Sequence, residues 1–188
     1  MNKREVLYPR IGETVIEATL DNGLKLFIVP KPKHRKKYAF FATRYGGMDM
    51  QFIRNGEKCD TPAGIAHYLE HKMFDTEAGN ALQELAKNGA EPNAFTSNAI
   101  TCYYFDSTEH FEENLEILLS FVSIPYFTEE SVAKEQGIIG QEIKMYDDSA
   151  DWRLITGLCE CLYHSHPIRS DIAGSWVSSF QPLNVPVP

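Results

Sequence analysis

Thr61-Pro62-Ala63-Gly64-Ile65-Ala66-His67-Tyr68-Leu69-Glu70-His71-Lys72-Met73-Phe74 is the stretch from which the rest of the chain can be read. Thr61 can cap free amides, and Pro62 suits the first helical position, where a missing amide hydrogen costs nothing, so a helix is expected from here to about Phe74. Residues four apart share a helix face, so His67 and His71 can present two imidazole nitrogens to one metal ion, with Glu70 beside them. A catalytic zinc takes three protein ligands and keeps a fourth position for water, whose pKa falls to about 7; Glu70 is the natural base for that water. With 6 His and 17 Glu among 188 residues, chance alone supplies about 0.02 such matches. Ile65, Ala66, Leu69, Met73 and Phe74 are apolar and would bury the helix, holding both histidines near a packed wall.

A third ligand has to come from elsewhere. A helix from Thr128, which caps it behind the apolar Phe127, to about Met145 offers Glu129, Glu130, Glu135 and Glu142. Glu135 and Glu142 are seven apart and share a face, and spacing alone does not choose between them.

Upstream, Thr14 to Leu20 and Leu24 to Pro30 flank Asp21-Asn22-Gly23 and read as a hairpin. A third strand is expected from Tyr38 to about Tyr45, ended by Gly46-Gly47, and Arg54 to Asp60 reads as a polar loop. Downstream, a helix over Asn80 to Asn88 stops at Gly89, and Asn93 to Phe105 reads as a strand. Ser107 or Thr108 would cap a helix whose apolar face is Phe111, Leu115, Leu118, Leu119 and Val122, closed by Pro125. Ala150 to Tyr163 makes one more helix, and His164 onward is loop-like. Strands followed by helices, joined by hairpins, imply an α+β fold, an antiparallel-rich mixed sheet with helices packed on one face.

The formal net charge of −8 and pI of about 5.2 argue against a nucleic-acid binder, because neutralising phosphates requires clustered Lys and Arg. The one basic run, Lys31 to Lys37, reads as a solvated loop. No segment has the roughly 20 apolar residues of a membrane span, and residues 1 to 5 do not lead into the apolar run of a signal peptide, so a cytoplasmic protein without membrane contact is expected. Cys59, Cys102, Cys159 and Cys161 have neither knuckle nor redox spacing and read as reduced thiols.

The 61–74 segment carries the inverted His-x-x-Glu-His pattern and resembles the signature helix of the pitrilysin/insulinase family of zinc peptidases. Asn93-Ala94-Phe95-Thr96-Ser97 with Thr101-Cys102-Tyr103-Tyr104-Phe105 resembles that family's edge-strand segment, and Lys134 to Tyr146 its third-ligand helix. His166 to Gly174 resembles the segment after the next helix, as found in bacterial processing-type members. On spacing alone, Asn93 to Ser97 would be an ordinary half-buried strand. The resemblance implies instead that Asn93, Ala94, Phe95 and Thr96 bind substrate by adding the peptide as a strand. It further implies Zn2+ held by His67, His71 and Glu142, Glu70 as catalytic base, and Glu135 as the acid supporting the site.

Taken over the whole chain, the resemblance implies a zinc metalloendopeptidase half domain over residues 1–175, cut short at its C-terminal end, with an atypical Pro-rich tail over 176–188. The other half, a homologous subunit or a second copy in a homo-oligomer, would supply Arg and Tyr side chains that no part of this chain matches. The competing expectation is a non-catalytic or truncated subunit that binds zinc or peptide and needs a partner half for activity.

Overall fold

In the computed structural model, which describes residues 2–175, the chain divides after Lys36 into two compact units. The first unit is a three-stranded antiparallel sheet of β1 (Asn2–Tyr8), β2 (Glu13–Thr19) and β3 (Lys25–Ile28), in that order. The hairpin expected around Asn22-Gly23 is β2–β3: Gly23 takes φ +87° and Asn22 Oδ1 accepts from the Leu24 amide at 3.1 Å. β1 had no clear signal in the sequence. Its register pairs Arg4 with Glu17, and the Arg4 Nε donates to the Glu17 carboxylate at 2.7 Å.

The second unit holds β4 (Lys37–Thr43), β5 (Gln51–Arg54), β6 (Glu57–Asp60), α1 (Ile65–Lys72), β7 (Asp75–Thr76), β8 (Gly79–Asn80) and α2 (Ala81–Lys87). It continues through β9 (Glu91–Thr96), β10 (Thr101–Ser107), α3 (Phe111–Ser123), α4 (Glu129–Asp147), α5 (Ala150–Leu162) and a 3-10 turn at Pro167–Arg169. The main sheet runs β4-β10-β9, antiparallel throughout. On central β10, Tyr103, Phe105 and Ser107 alternate into the interior, as a strand with one packed face requires. Against that face α2 and α3 bury Leu85, Leu118 and Phe121, joined by Phe74 after α1. Tyr68 of α1 packs separately with Ile139 and Ile143 of α4 and with Ala173. The architecture is the α+β arrangement expected, with helices on one face of an antiparallel sheet.

Several local expectations are corrected. The polar loop at Arg54 to Asp60 lies within a hairpin, β5–β6, turned by Asn55 (φ 53°) and Gly56 (φ 85°), the paired left-handed residues of a tight hairpin turn. The strand over Asn93 to Phe105 is two strands, β9 and β10, joined by a turn in which the Ser97 amide donates to the Ile100 carbonyl at 2.8 Å. α3 starts after His110 (φ 54°), because Ser107 is held in β10. Helix α1 begins at Ile65 rather than at Pro62, and the Thr61 hydroxyl donates to the Met50 carbonyl at 3.1 Å instead of capping it. Thr128 does cap α4, with a reciprocal box to Ser131, and Asn80 caps α2. All four cysteines are free, and no helix among the described residues is long and apolar enough to cross a membrane. The tail over 176–188 lies outside the described residues.

Candidate active site

The helix that carries the motif is set in place at its N-terminus by two glycines. Gly64 (φ +92°) precedes α1, and a Cβ there would meet the Ala173 carbonyl oxygen at 2.6 Å; a Cβ on Gly174 (φ +79°) would meet that of Ala63 at 2.5 Å. Only glycine permits both the left-handed backbone and this close approach. The crossing pins the 171–174 turn against the start of α1, one turn before His67.

Along α1 the four-residue spacing does what it predicts: the His67 and His71 rings lie 4.7 Å apart between centroids. Facing them, α4 is docked by its apolar contacts with Tyr68 and by the Tyr68 hydroxyl, which donates to the Val132 carbonyl at 2.9 Å. That docking brings Glu142 to both histidines, with Oε1 3.6 Å from His67 Nε2 and Oε2 3.4 Å from His71 Nε2. Ligand atoms about 2.0–2.1 Å from a tetrahedral zinc are about 3.3–3.4 Å from one another, so the donor set and its spacing fit zinc. Among the described residues, His67, His71 and Glu142 form the group able to hold a metal ion.

Glu135, one face-repeat earlier on α4, does not join this group; its Oε1 accepts from His71 Nδ1 at 2.8 Å. With a carboxylate on Nδ1, that nitrogen carries the proton and Nε2 keeps its lone pair for the metal. Glu142 and Glu135, which spacing left equivalent, are thus placed at the metal group and behind it. His67 Nδ1 is buried and finds no hydrogen-bond partner among the described residues.

Glu70 is 7% exposed, and the Thr96 hydroxyl on β9 donates to its Oε2 at 2.8 Å. Burial pushes the Glu70 carboxyl above the usual carboxylate range, against the opposing pull of Thr96 and His71. Burial holds His67 below the usual imidazole value, aided by repulsion from His71. His71 is also depressed by burial, but its hydrogen bond to Glu135 and the nearby Glu142 and Glu70 carboxylates raise it overall.

These groups open onto a cleft of about 340 Å³ lined also by Asn93, Ala94, Phe95 and Thr96. β9 is an edge strand of the sheet, and the Ala94 amide, turned away from β10, donates to the Asn93 side chain at 2.8 Å. Asn93 to Thr96, the residues expected to bind substrate, all line this cleft, and the Thr96 hydroxyl also holds Glu70. Tyr146, Trp152, Ile172 and Ala173 also line the cleft and had not been anticipated. Tyr146 could have been found, since it follows Glu142 by four residues on the same helix face. A neighbouring cavity of about 370 Å³ behind Tyr146 and Trp152 is larger but contains neither histidine nor Glu70, so the chemistry belongs to the smaller one.

The model of the family "Insulinase (Peptidase family M16)" matches residues 52–175. A relative from Bacillus subtilis (strain 168), named "Uncharacterized zinc protease YmfH", is 48% identical over 174 residues, covering 92% of this chain and 41% of the relative. Insulin-degrading enzyme of Bos taurus is 29% identical over 163 residues, covering 77% of this chain and 15% of that enzyme. A crystal structure from Alicyclobacillus acidocaldarius, named "putative M16-like peptidase", superposes with a TM-score of 0.85 at 41% identity, covering 89% of this chain and 40% of that one. The chain thus spans about two fifths of the length of its bacterial relative and of that structure. With the matched region enclosing α1, β9 and α4, the chain belongs to the insulinase family of peptidases, peptidase family M16.

Proposed function

We propose that this chain is the metal-bearing half of a zinc metalloendopeptidase in which Glu70 is the general base. The observation that carries the reading is a buried carboxylate, Glu70, opening onto the same cleft as the His67, His71 and Glu142 donor group. His67, His71 and Glu142 would hold zinc, which would supply Lewis acidity to the scissile carbonyl and to an attacking water.

Glu70 takes the proton from that water and later delivers it to the leaving amine. The Thr96 hydroxyl, which donates to its Oε2, holds the carboxylate that carries the proton. Burial that disfavours the bare carboxylate makes Glu70 a stronger base than an exposed glutamate. Glu135 keeps His71 in the tautomer that ligates, and Glu142 completes the set.

Asn93 to Thr96 would align the peptide by accepting it as an added strand on the edge of β9. The Ala94 amide can exchange its contact with the Asn93 side chain for a substrate carbonyl without being left unpaired. A chain spanning two fifths of its relatives fits a half that works with a second half or a homologous subunit.

The test is zinc content of the purified chain, together with cleavage of a mixed peptide library with and without chelator, beside Glu70→Gln. Stoichiometric zinc with Glu70-dependent cleavage is expected once the partner half is present. Zinc without cleavage in the isolated chain marks a half-enzyme, and no zinc at all sinks the reading.

A further inference from the structure

One polar group in the cleft has no part in that chemistry, the hydroxyl of Tyr146. It lies one helical turn after Glu142 and donates to Glu142 Oε1 at 2.8 Å. The ring stacks on Trp152, with centroids 4.9 Å apart and planes 26° from parallel. The Trp152 indole N–H in turn donates to Asp171 Oδ2, and Asp171 Oδ1 accepts from the Ala173 amide at 2.8 Å. A phenol tied on one side to the metal group is therefore fixed on the other to the turn that crosses the start of α1. A phenol is protonated at neutral pH and so serves as the donor of this bond.

We propose that Tyr146 is a positioning residue for the metal, doing for Glu142 what Glu135 does for His71; this rests on the zinc-binding reading above. A glutamate carboxylate has three side-chain torsions, and ordering them costs entropy each time a metal binds. The Tyr146 hydrogen bond orders them beforehand. With Oε1 occupied by a donor, Oε2, 3.4 Å from His71 Nε2, is the oxygen left freest for the ion. Outer partners of this kind are typically worth about 10- to 100-fold in metal affinity.

A matched control exists on the same pair of helices. The Tyr68 hydroxyl bridges α1 to α4 by donating to a backbone carbonyl, Val132, and touches no metal donor. The experiment is zinc affinity of the full chain by competition with a chromogenic chelator, for the parent, Tyr146→Phe and Tyr68→Phe, with the metal-free melting temperature of each. Tyr146→Phe keeps the stack on Trp152, so it should bind zinc about tenfold or more weakly while melting close to the parent without metal. Tyr68→Phe should melt lower, with only a smaller loss of zinc affinity that follows from looser docking of α4. Parent-like zinc affinity in Tyr146→Phe overturns the proposal alone, as does an equal loss in both variants, which would make the effect one of helix docking. A parent chain that binds no zinc overturns the underlying reading as well.

Discussion

Replacing Gly64 by alanine tests the link between a tight backbone crossing and the metal group. At φ +92° an added Cβ would lie 2.6 Å from the Ala173 carbonyl oxygen, and 3.0 Å from both the Ala173 carbonyl carbon and the Gly174 Cα. All three are backbone atoms and cannot swing aside. The left-handed conformation costs a residue with a side chain about 1–2 kcal/mol, and overpacking of this kind adds about 1–3 kcal/mol. Together they give a loss of about 2–5 kcal/mol, a large share of the stability of an ordinary domain. The displacement falls on the first turn of α1 and on the cleft wall at Ala173, so zinc affinity should fall with stability. Gly137, inside α4, is the control, because a Cβ there meets nothing within 4 Å; Gly137→Ala should stabilise by about 0.5–1 kcal/mol. Urea unfolding of the metal-free chain measures both. A Gly64→Ala variant within about 0.5 kcal/mol of the parent, the usual scatter of surface substitutions, would refute the close-packing argument.

Glu142→Gln should remove stoichiometric zinc from the purified chain, whereas Glu135→Gln should retain it at about 10- to 100-fold weaker affinity; the opposite order, read by chelator competition, would exchange their roles. Thr96→Val deletes a donor that favours ionised Glu70, so the acid limb of the pH profile of kcat/KM should move to higher pH, with Thr96→Ser restoring it. An unmoved limb would show that Thr96 does not tune the base. Phe105 is fully buried on β10 against Phe111, and Phe105→Ala should cost about 3–5 kcal/mol by denaturant titration.

The site was more legible in the sequence than its scaffold. His67, Glu70 and His71 are read from one helical turn, because the period of a helix alone places them together. Choosing Glu142 over Glu135 needed the family pattern, since both lie on the same face of α4 and only docking through Tyr68 decides which reaches the Nε2 atoms. Local rules misplaced the start of α1: Thr61 and Pro62 form a valid cap signal, yet Thr61 satisfies a carbonyl from residue 50 and the helix waits for Gly64. The choice turns on a contact between residues distant in sequence, Gly64 with Ala173, which no local window contains. The β5–β6 hairpin differs, because its Asn55-Gly56 pair carries the same turn chemistry that identified Asn22-Gly23. There the polar flanks Arg54, Glu57 and Lys58 masked two short strands.

The charges around the metal group lead to a change in the sign of a pH effect. Above pH 6.5 the contribution of His67, whose folded pKa is lowered, is present, and it is lost only as pH falls through that value. His71, with a folded pKa raised above 6.5 by Glu135 and the neighbouring carboxylates, acts the other way. Its contribution is complete below the unfolded value and is lost as pH climbs through the folded one. Glu70, also raised, has the same sign. Without metal the chain should therefore lose stability as pH rises from about 6.5 to a value above the raised His71 pKa, as the cation on His71 disappears from among Glu70, Glu135 and Glu142. Zinc replaces that cation and binds only the unprotonated rings, so with zinc in excess stability should hold or rise over the same interval. Urea midpoints at the two pH values, with zinc and with chelator, read the difference. Parallel slopes in the two series would mean that the histidines do not exchange a proton for the metal, and the assignment of His71 as a ligand would fall with that result.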